Sequence, residues 1–245
     1  MKVAVIIPTY NEKENIRELV SRILKLKISG STPSTMLRTS SLTIIIVDDN
    51  SPDGTGRIVD NIARKNKRVY CIHRKAKLGL GTAYIAGYKK AFEIKADVII
   101  TMDADLSHTP EKIPQMLSKI PEVDVVIGSR HINGGRIIGF DWFRTLLSAS
   151  AQAFARYWLG LPTHDSTSGF RAYKAKVLKD IKPETIRSQG YSFLIEAIYR
   201  AHKNGFKIAE VPITFEVRRK GKSKLSEKEI YRALETVIRL KISNF

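Results

Sequence analysis

The stretch Val98-Ile99-Ile100-Thr101-Met102-Asp103-Ala104-Asp105-Leu106-Ser107-His108 decides the fold of this chain. It begins with an apolar run that is typical of a strand buried on both faces of a sheet. Two carboxylates, on Asp103 and Asp105, follow where the strand gives way to a loop. In open α/β sheets, ligands bind at the carboxyl ends of the strands. The stretch therefore predicts a parallel sheet with a binding site at one edge.

The two carboxylates indicate what that site binds. At one strand end they repel each other unless a cation or a ligand lies between them. Mg²⁺ and Mn²⁺ bind by preference to one or two carboxylates together with phosphate oxygens. The pair thus favours a divalent cation with a diphosphate. By itself the pattern Asp-x-Asp is weak evidence, because two acids in a solvated loop have the same spacing.

Similar apolar runs precede polar loops elsewhere, and most are followed by residues with helical spacing. These runs are residues 3–7, 42–47, 69–73 and 124–127. Such alternation predicts an α/β fold, a mostly parallel, twisted, Rossmann-like sheet with helices on both faces. Further along, the pattern predicts a polar loop at 163–171 and a strand at 208–217. We expect a sheet domain over 1–225 and an amphipathic helix over 226–245. Residues 29–42, rich in Ser and Thr, predict a surface insertion to which we assign no function.

Composition narrows the classes of partner. The net charge is +18, from 42 Lys and Arg against 24 Asp and Glu. This charge implies a negatively charged partner, which is nucleic acid, an anionic membrane surface or a phosphorylated substrate. A solvated basic surface without a partner is a further alternative, and composition does not choose among these.

The single cysteine and the lengths of the apolar runs exclude further structural features. Cys71 is the one cysteine, which excludes an intrachain disulfide and fits a reducing compartment. Its apolar neighbours predict a buried thiol rather than a reactive one. No run of 18 apolar residues occurs, so we expect no membrane-spanning helix.

Charged side chains near the predicted strand ends form the candidate site. Acids there can accept hydrogen bonds from base N–H groups and ribose hydroxyls, and cations can neutralise a diphosphate. The acids are Glu12, Asp48, Asp49, Asp103 and Asp105, and the cations are Arg130, Arg218 and Lys224. Each cation has the alternative of being a solvated surface charge.

Six motifs occur in an order that resembles a known family. They are Ile-Pro-Thr-Tyr-Asn-Glu, Val-Asp-Asp-Asn-Ser-Pro-Asp-Gly-Thr, Asp-Ala-Asp-Leu-Ser-His, Gly-Ser-Arg, Ser-Gly-Phe-Arg and Gly-Lys-Ser-Lys-Leu. Over essentially its whole length the chain is similar to the family-2 inverting glycosyltransferases of GT-A fold. Within that family it most resembles the dolichol-phosphate mannose synthases.

The resemblance implies a role for each matching residue. Guanosine would be held by Pro8, Tyr10, Glu12, Val47 and Asp49. Ribose and diphosphate would contact Asp103, Ala104 and Asp105, with Asp105 the main metal ligand. Ser107 stands where many relatives have Gln as a second metal ligand, and its shorter side chain leaves room for an intervening water. Arg130 would face the acceptor phosphate and the sugar, and Arg144 and Ser148 would bind that phosphate. Arg218 and Lys224 would clamp the donor diphosphate.

The implied reaction is transfer of mannose from GDP-mannose to dolichyl or polyprenyl phosphate, with inversion at the sugar and with Mg²⁺ or Mn²⁺ bound. A sugar hydroxyl acceptor needs a general base. A lipid monophosphate is already ionised near neutral pH. We therefore expect no base, and we expect catalysis to rest on positioning and on charge neutralisation by the metal, Arg130, Arg144, Arg218 and Lys224. The predicted catalytic residues are Asp105, Arg130, Arg144 and Ser148.

The implied acceptor is a membrane lipid. Residues 218–245 contain 9 Lys and Arg and 3 Glu, a net charge of 9 − 3 = +6. Basic residues beside an amphipathic helix predict peripheral attachment on the cytoplasmic side of a membrane, with residues 143–161 as a second contact. Two alternatives stay open, which are UDP-glucose as the donor and nucleic-acid binding as the function. The second is disfavoured because no recognised nucleic-acid module is present.

Overall fold

The computed structural model describes residues 1–27, 41–216 and 227–242. The strands are β1 (Lys2–Thr9), β2 (Ser41–Asp48), β3 (Val69–His73), β4 (Val98–Thr101), β5 (Val125–Ser129), β6 (Arg136–Ile138), β7 (Arg171–Lys174), β8 (Ile208–Pro212) and β9 (Thr214–Glu216). The α-helices are α1 (Ile16–Leu24), α2 (Thr55–Lys65), α3 (Leu80–Glu93), α4 (Ile113–Lys119), α5 (Trp142–Leu159), α6 (Ala175–Asp180), α7 (Ser192–Lys203) and α8 (Glu227–Ile242). Short 3₁₀ turns lie at Pro110–Lys112 and Pro183–Thr185.

Seven of the strands form one sheet in the order β3-β2-β1-β4-β7-β5-β8, and β6 pairs with β9 in a second, two-stranded sheet. Strands β1 to β4 run parallel to one another, and β5 runs parallel to β8. Strand β7 runs antiparallel to both of its neighbours, β4 and β5. The predicted mostly parallel sheet is therefore confirmed.

Both faces of the sheet are buried. Along β1, Val3, Val5 and Ile7 pack in one apolar cluster, and Ala4 and Ile6 pack in another on the opposite face. The first cluster includes residues of α1 and α4, and the second includes residues of α3, α5, α7 and α8. This double burial explains why the strands read as continuous apolar runs rather than as alternating ones.

Two sequence expectations need correction. Residues 163–171 were expected to be a polar loop, but Arg171 begins β7, which occupies the middle of the sheet. Residues 208–217 were expected to form one strand, but the chain breaks at Ile213 into β8 and β9, which belong to different sheets. Of the predicted insertion at 29–42, residues 29–40 lie outside the described residues, and Ser41 and Leu42 begin β2.

The final helix, α8, packs against α7 and α5. Val237 and Leu240 are buried in the same apolar cluster as α3 and α7. Other large apolar side chains of α8, those of Tyr231, Leu234 and Ile242, are exposed. The boundary predicted near residue 225 stays a prediction. Across the described ranges, none of the helices is both long enough and apolar enough to cross a bilayer.

Helix α3 lies unusually close to β1 at Gly87. A Cβ atom on Gly87 would lie 2.4 Å from Cγ2 of Ile6 and 3.1 Å from its Cδ1. Real Cβ atoms essentially never approach a heavy atom this closely, so glycine is required for this packing. The contact sets the distance between α3 and the strand that leads to the site.

We predict that Gly87→Ala destabilises the fold by about 1–3 kcal/mol, because the added methyl group overpacks the contact with Ile6. Ile6→Ala alone should cost about 2–5 kcal/mol through its cavity. In the double variant, the new methyl group fills part of that cavity. The destabilisation of the double variant should therefore be about 1 kcal/mol smaller than the sum of the two single destabilisations. Urea denaturation of all four proteins measures the coupling, and strictly additive costs would show that Gly87 does not limit this contact.

Candidate active site

The ends of five neighbouring strands meet at one level of the sheet. Val47 of β2 pairs with Pro8 of β1. Ile6 pairs with Thr101, so two residues further along Pro8 lies level with Asp103. Thr101 also pairs with Arg171 of the antiparallel β7, which brings Gly169 opposite Asp103. Ile127 of β5 pairs with the same Arg171, so Ser129 lies level with Gly169.

This shared level, which we call the rim, runs from Val47 through Pro8, Asp103 and Gly169 to Ser129. At about 4.8 Å per strand, its five positions span about 19 Å. Most of the predicted site residues that the structure describes lie on the rim or within a few residues of it in the chain. The loops that follow the strand ends carry Tyr10, Glu12, Asp49, Asp105 and Arg130.

Asp48 fixes the loops after β1 and β2. Its carboxylate accepts hydrogen bonds from the Thr9 hydroxyl at 2.9 Å, the Ser51 N–H at 3.0 Å and the Ser51 hydroxyl at 2.6 Å. The Glu12 N–H donates to Thr55 Oγ1 at 2.9 Å, which joins the same two loops again. Asp48 is thus a structural acid, while Glu12 and Asp49 occupy the loops that it holds.

Asp49 is paired with Arg74, a residue that the sequence analysis did not single out. Arg74 Nε donates to Asp49 Oδ1 at 2.5 Å and Arg74 Nη2 donates to Oδ2 at 2.8 Å, and both side chains are buried. The guanidinium also donates to Thr82 Oγ1 and to the Gly79 carbonyl, at the start of α3. Arg74 directly follows β3, as Asp49 directly follows β2, and the two strands are neighbours in the sheet. This matching position after a strand is the one feature of the sequence that indicates Arg74.

Tyr10 borders the same region. The Lys77 ammonium lies 4.4 Å from the centre of the Tyr10 ring, a cation–π contact that links the loop after β1 to the loop before α3. Val47 is fully buried and Pro8 is partly buried. Pro8 and Tyr10, next to the buried Val47, form an apolar and aromatic surface beside the acids Glu12 and Asp49.

Ser107 orients the carboxylate of Asp105. Its backbone N–H and its hydroxyl both donate to Asp105 Oδ1, at 3.1 and 2.5 Å. The turn between them places Leu106 at φ 62°, in the left-handed region. This conformation costs a residue other than glycine about 1–3 kcal/mol, and such strain is concentrated at functional sites. The geometry gives Ser107 an orienting role, and direct metal ligation by Ser107 stays a prediction.

Asp103 lies against a buried surface. A Cβ on Gly169 would lie 3.1 Å from Asp103 Oδ1 and 3.2 Å from the Tyr84 hydroxyl, so a larger residue would push these groups apart by a few tenths of an ångström. The Tyr84 hydroxyl is buried and has no hydrogen-bond partner in the described part of the chain. Burial, and then the negative charge of Asp103, raise the pKa of Tyr84 well above its ordinary value. Tyr84 therefore stays neutral beneath the carboxylate.

The residues present fit a hard divalent cation. Asp103 and Asp105 are carboxylates two residues apart at one strand end, and Ser107 holds the second in a fixed orientation. Oxygen is the donor that Mg²⁺ and Mn²⁺ prefer. Ala104, between the two acids, is buried in the core, which anchors the loop. His108 is also buried and stacks on Phe170, with the ring centres 5.3 Å apart.

Arg130 is held at the other end of the rim by Asp165. Arg130 Nε and Nη2 donate to the two carboxylate oxygens of Asp165, each at 2.7 Å, and its backbone N–H donates at 3.0 Å. Nη2 also donates to Thr167 Oγ1 at 2.9 Å. Burial alone would raise the pKa of Asp165, but Arg130 lowers it to about 2. Burial opposes the charged form of Arg130, but the negative charges of Asp165 and Asp103 raise its pKa, so Arg130 stays positively charged.

Helix α5 connects to the same loop. Gln152 donates to Thr167 Oγ1 at 2.7 Å and accepts from the Ser166 N–H and hydroxyl, both at 2.8 Å. Ser148 is partly buried one turn earlier on the same side of the helix. Arg144 belongs to α5, but its side chain lies outside what the structure describes.

Arg218 and Lys224 also lie outside the described residues. The described chain reaches Glu216, whose N–H donates to the Ser107 carbonyl at 3.4 Å. The segment that carries the two predicted cations therefore departs from a point beside Ser107. Their clamping role stays a prediction.

Comparison with known proteins adds an independent line of observation. The family model described as Glycosyl transferase family 2 matches residues 4–182. The chain is 41% identical over 232 residues to polyprenol monophosphomannose synthase of Mycolicibacterium smegmatis. The aligned region covers 94% of this chain and 83% of the relative. It is 39% identical to undecaprenyl-phosphate mannosyltransferase of Micrococcus luteus, over 98% of this chain and 93% of the relative.

One solved structure shows the fold. Glucosyl-3-phosphoglycerate synthase of Mycobacterium tuberculosis, in complex with Mn²⁺, UDP and phosphoglyceric acid, superposes with a TM-score of 0.67 and 18% identity. The superposition covers 100% of this chain and 80% of the other. The predicted fold class is confirmed by this similarity.

The Asp165–Arg130 pair predicts a specific pH dependence. Because the pKa of Asp165 falls from 3.8 to about 2 on folding, its ionisation contributes stability above pH 3.8 that is lost as the pH falls through 2. This contribution is about 2 kcal/mol. Asp165→Asn removes it, so the stability gap between wild type and variant should be widest at pH 5 and should narrow below pH 4. Urea denaturation across this range measures the gap, and a constant gap would contradict the assignment.

Proposed function

The chain belongs to glycosyl transferase family 2, and from this premise we propose that it transfers mannose from GDP-mannose to the phosphate of dolichol or another polyprenol. One observation carries the proposal. The rim brings two carboxylates, Asp103 and the Ser107-oriented Asp105, between the loops after β1 and β2 and a buried arginine, Arg130, after β5. The names of both relatives, which refer to polyprenol or undecaprenyl phosphate and to mannose, support the acceptor and the sugar.

The nucleoside binds at the loops after β1 and β2. Glu12 and Asp49 supply acceptors for N–H groups of the base, while Pro8 and Tyr10 supply the apolar surface against which it lies, and the buried Val47 supports Pro8 through strand pairing. Guanine presents an N–H and an exocyclic amino group on one edge, so two acceptors suit it better than one. Arg74 holds Asp49 in place and offsets its charge.

The diphosphate binds at Asp103, Ala104 and Asp105. Asp105, oriented by Ser107, would hold a Mg²⁺ or Mn²⁺ ion, which would supply charge neutralisation for the leaving diphosphate. Support for a divalent ion comes from the all-oxygen donor set, and the structural neighbour described above was solved with Mn²⁺. Arg218 and Lys224, which follow Glu216 in the sequence, add positive charge to the same phosphates.

The acceptor phosphate binds at Arg130, with Arg144 and Ser148 contributing from α5. Asp165 keeps the Arg130 guanidinium in one orientation before any ligand arrives, so little reorganisation is needed on binding. The positive charges lower the repulsion between the acceptor phosphate and the donor diphosphate. Reducing this electrostatic repulsion is the main contribution of the cations to the reaction.

The transfer is a single displacement. An oxygen of the lipid phosphate attacks the anomeric carbon, and the bond from that carbon to the diphosphate breaks on the opposite side. An α-linked donor therefore gives a β-linked mannosyl phosphate, with GDP as the leaving group. The attacking phosphate is already ionised, so no side chain has to remove a proton. Catalysis then depends on holding two anions at attack distance.

The lipid acceptor requires contact with a membrane, and α5 and α8 supply the surface. Trp142 and Tyr157 of α5 are 77% and 89% exposed, and Tyr231 and Ile242 of α8 are each 74% exposed. The two helices are in contact, and we call their exposed apolar side chains together the α5–α8 face. Aromatic side chains among basic ones suit an interfacial position on an anionic bilayer.

The first experiment offers radiolabelled GDP-mannose or UDP-glucose, with a polyprenyl phosphate and Mn²⁺, and measures label that extracts into organic solvent. We expect transfer from GDP-mannose. Asp105→Ala should lower the rate by at least about 10²-fold, because charge stabilisation at the leaving group is lost. Asp180→Ala, at an exposed aspartate of α6, is the matched control and should retain the rate.

Two outcomes would refute this assignment. Transfer from UDP-glucose in place of GDP-mannose would favour the rival donor. Full activity in Asp105→Ala, with an unchanged unfolding midpoint, would remove Asp105 from the metal site.

The α5–α8 face gives a second prediction. Tyr157→Ser should weaken binding to vesicles of phosphatidylcholine and phosphatidylserine by about tenfold, because burial of a large side chain contributes about 1.5–3 kcal/mol. Tyr70→Ser makes the same change at an exposed tyrosine on the edge strand β3 and serves as the control. Vesicle co-sedimentation measures both, and an equal effect of the two changes would contradict membrane contact through α5.

A further inference from the structure

Three potential metal ligands lie together at the edge of the sheet, and none of them is among the residues assigned to the transfer reaction. Cys71 and His73 are two residues apart on β3, so their side chains share one face of that strand. Asp60 reaches the same place from α2, and its Oδ1 lies 2.9 Å from His73 Nε2. The Cys71 sulfur, a His73 ring nitrogen and an Asp60 carboxylate oxygen all lie within 4.8 Å of one another.

We propose that Asp60, Cys71 and His73 form a second cation site, which binds Zn²⁺ through one sulfur, one nitrogen and one oxygen atom. Water fills the fourth position of a tetrahedral arrangement, as in zinc sites with three protein ligands. The site is independent of the proposed function, since none of its three residues has a role in the transfer.

The donor set distinguishes this site from the acids of the rim. A thiolate and an imidazole favour zinc and other borderline or soft ions, whereas the carboxylates Asp103 and Asp105 favour Mg²⁺ or Mn²⁺. When the cation binds, the S–H bond of Cys71 breaks, the proton goes to solvent, and a bond forms between sulfur and the metal. The Asp60–His73 hydrogen bond is exchanged for bonds from both groups to the same ion.

The distances permit this exchange with small movements. Zn–S and Zn–N bonds of about 2.3 and 2.0 Å place tetrahedral ligand atoms about 3.4–3.6 Å apart. The atoms that are up to 4.8 Å apart must therefore approach by about 1 Å. The side chains of His73 and Asp60 are 52% and 36% exposed, so their rotamers can adjust without disturbing the core.

The far side of the His73 ring is also constrained. A Cβ on Gly56 would lie 3.1 Å from His73 Nδ1 and 3.0 Å from Asp48 Oδ2, so the Nδ1 side of the ring and the Asp48 carboxylate bound the same narrow space. The Nε2 side of the ring faces Asp60 and is the side from which His73 can bind a cation together with Asp60 and Cys71. In the absence of a cation, burial and then the charges of Asp60 and Asp48 raise the pKa of Cys71 to about 12.

Cobalt(II) is the probe of choice, because a cobalt–thiolate bond gives a near-ultraviolet charge-transfer absorption. The chain contains a single cysteine, so that absorption reports on Cys71 alone. Untagged full-length protein is titrated with Co²⁺ in the presence of excess Mg²⁺, which occupies the carboxylates of the rim. We expect the absorption to saturate at one Co²⁺ per chain and to disappear on addition of one equivalent of Zn²⁺.

Single substitutions test each ligand. Cys71→Ser should abolish the absorption, and His73→Ala and Asp60→Asn should each weaken Co²⁺ binding by at least about tenfold, since even outer-shell changes cost that much. His202→Ala, at a partly exposed histidine of α7, and Asp105→Ala should leave the titration unchanged. Unfolding midpoints measured without metal show that each variant is folded.

Three results would overturn the proposal. The first is the absence of a thiolate absorption in the wild-type protein. The second is saturation at one Co²⁺ per two chains, which would mean that cysteines of two molecules share the ion. The third is an absorption that His73→Ala and Asp60→Asn both leave intact.

Discussion

The antiparallel pairing of β7 with β4 is the constraint on which the site depends. Thr101 pairs with Arg171, and the Thr101 hydroxyl donates to the Gly169 carbonyl at 2.7 Å. This register places Gly169, which has no Cβ, beside the Asp103 carboxylate. A slip of one residue would turn Arg171 to the other face of the sheet. In the observed register the fully buried Arg171 guanidinium donates to the carbonyls of Ser166, Ser168 and Leu194. The loop before β7, which carries Asp165, is therefore fixed relative to the acids that follow β4.

Buried charges at the rim are paired before any ligand binds. Arg74 holds Asp49 at the β2 end of the rim, and Asp165 holds Arg130 at the β5 end, each through two parallel hydrogen bonds. Buried pairs of this kind gain little net stability, because desolvation offsets most of the attraction. Their effect is on position, since a guanidinium held at two points cannot rotate away from the rim. A site that brings two phosphates together needs such fixed charges more than it needs flexible ones.

The fold could be predicted from the sequence wherever a strand is apolar throughout, as in β1, β2 and β4. Strand β7 could not, because it has four residues and begins with an arginine whose partners are carbonyl oxygens from distant parts of the chain. For the site, the acids at the strand ends were evident from their position after apolar runs. Arg74 and Asp165 were harder to assign, because their roles come from partners 25 and 35 residues away in the chain. The orienting bonds of Ser107 depend on the left-handed turn at Leu106, for which the residue types give no signal.

Helix α5 ties the proposed acceptor site to the proposed membrane surface. Ser148 and Gln152 lie on its inward side, where Gln152 bonds to the loop that holds Arg130. Tyr157 is exposed, and at 100° per residue it lies on the opposite side of the helix, while the exposed Trp142 lies about a quarter of a turn from the inward side. A helix with its side chains is about 10–12 Å thick. If the outer side rests among lipid headgroups, the acceptor phosphate must rise by about this thickness to reach Arg130 while its hydrocarbon chain passes around the helix. A long, flexible polyprenyl chain can span that step without leaving the bilayer. The thickness of one helix therefore sets how far the lipid phosphate is drawn from the membrane for the reaction.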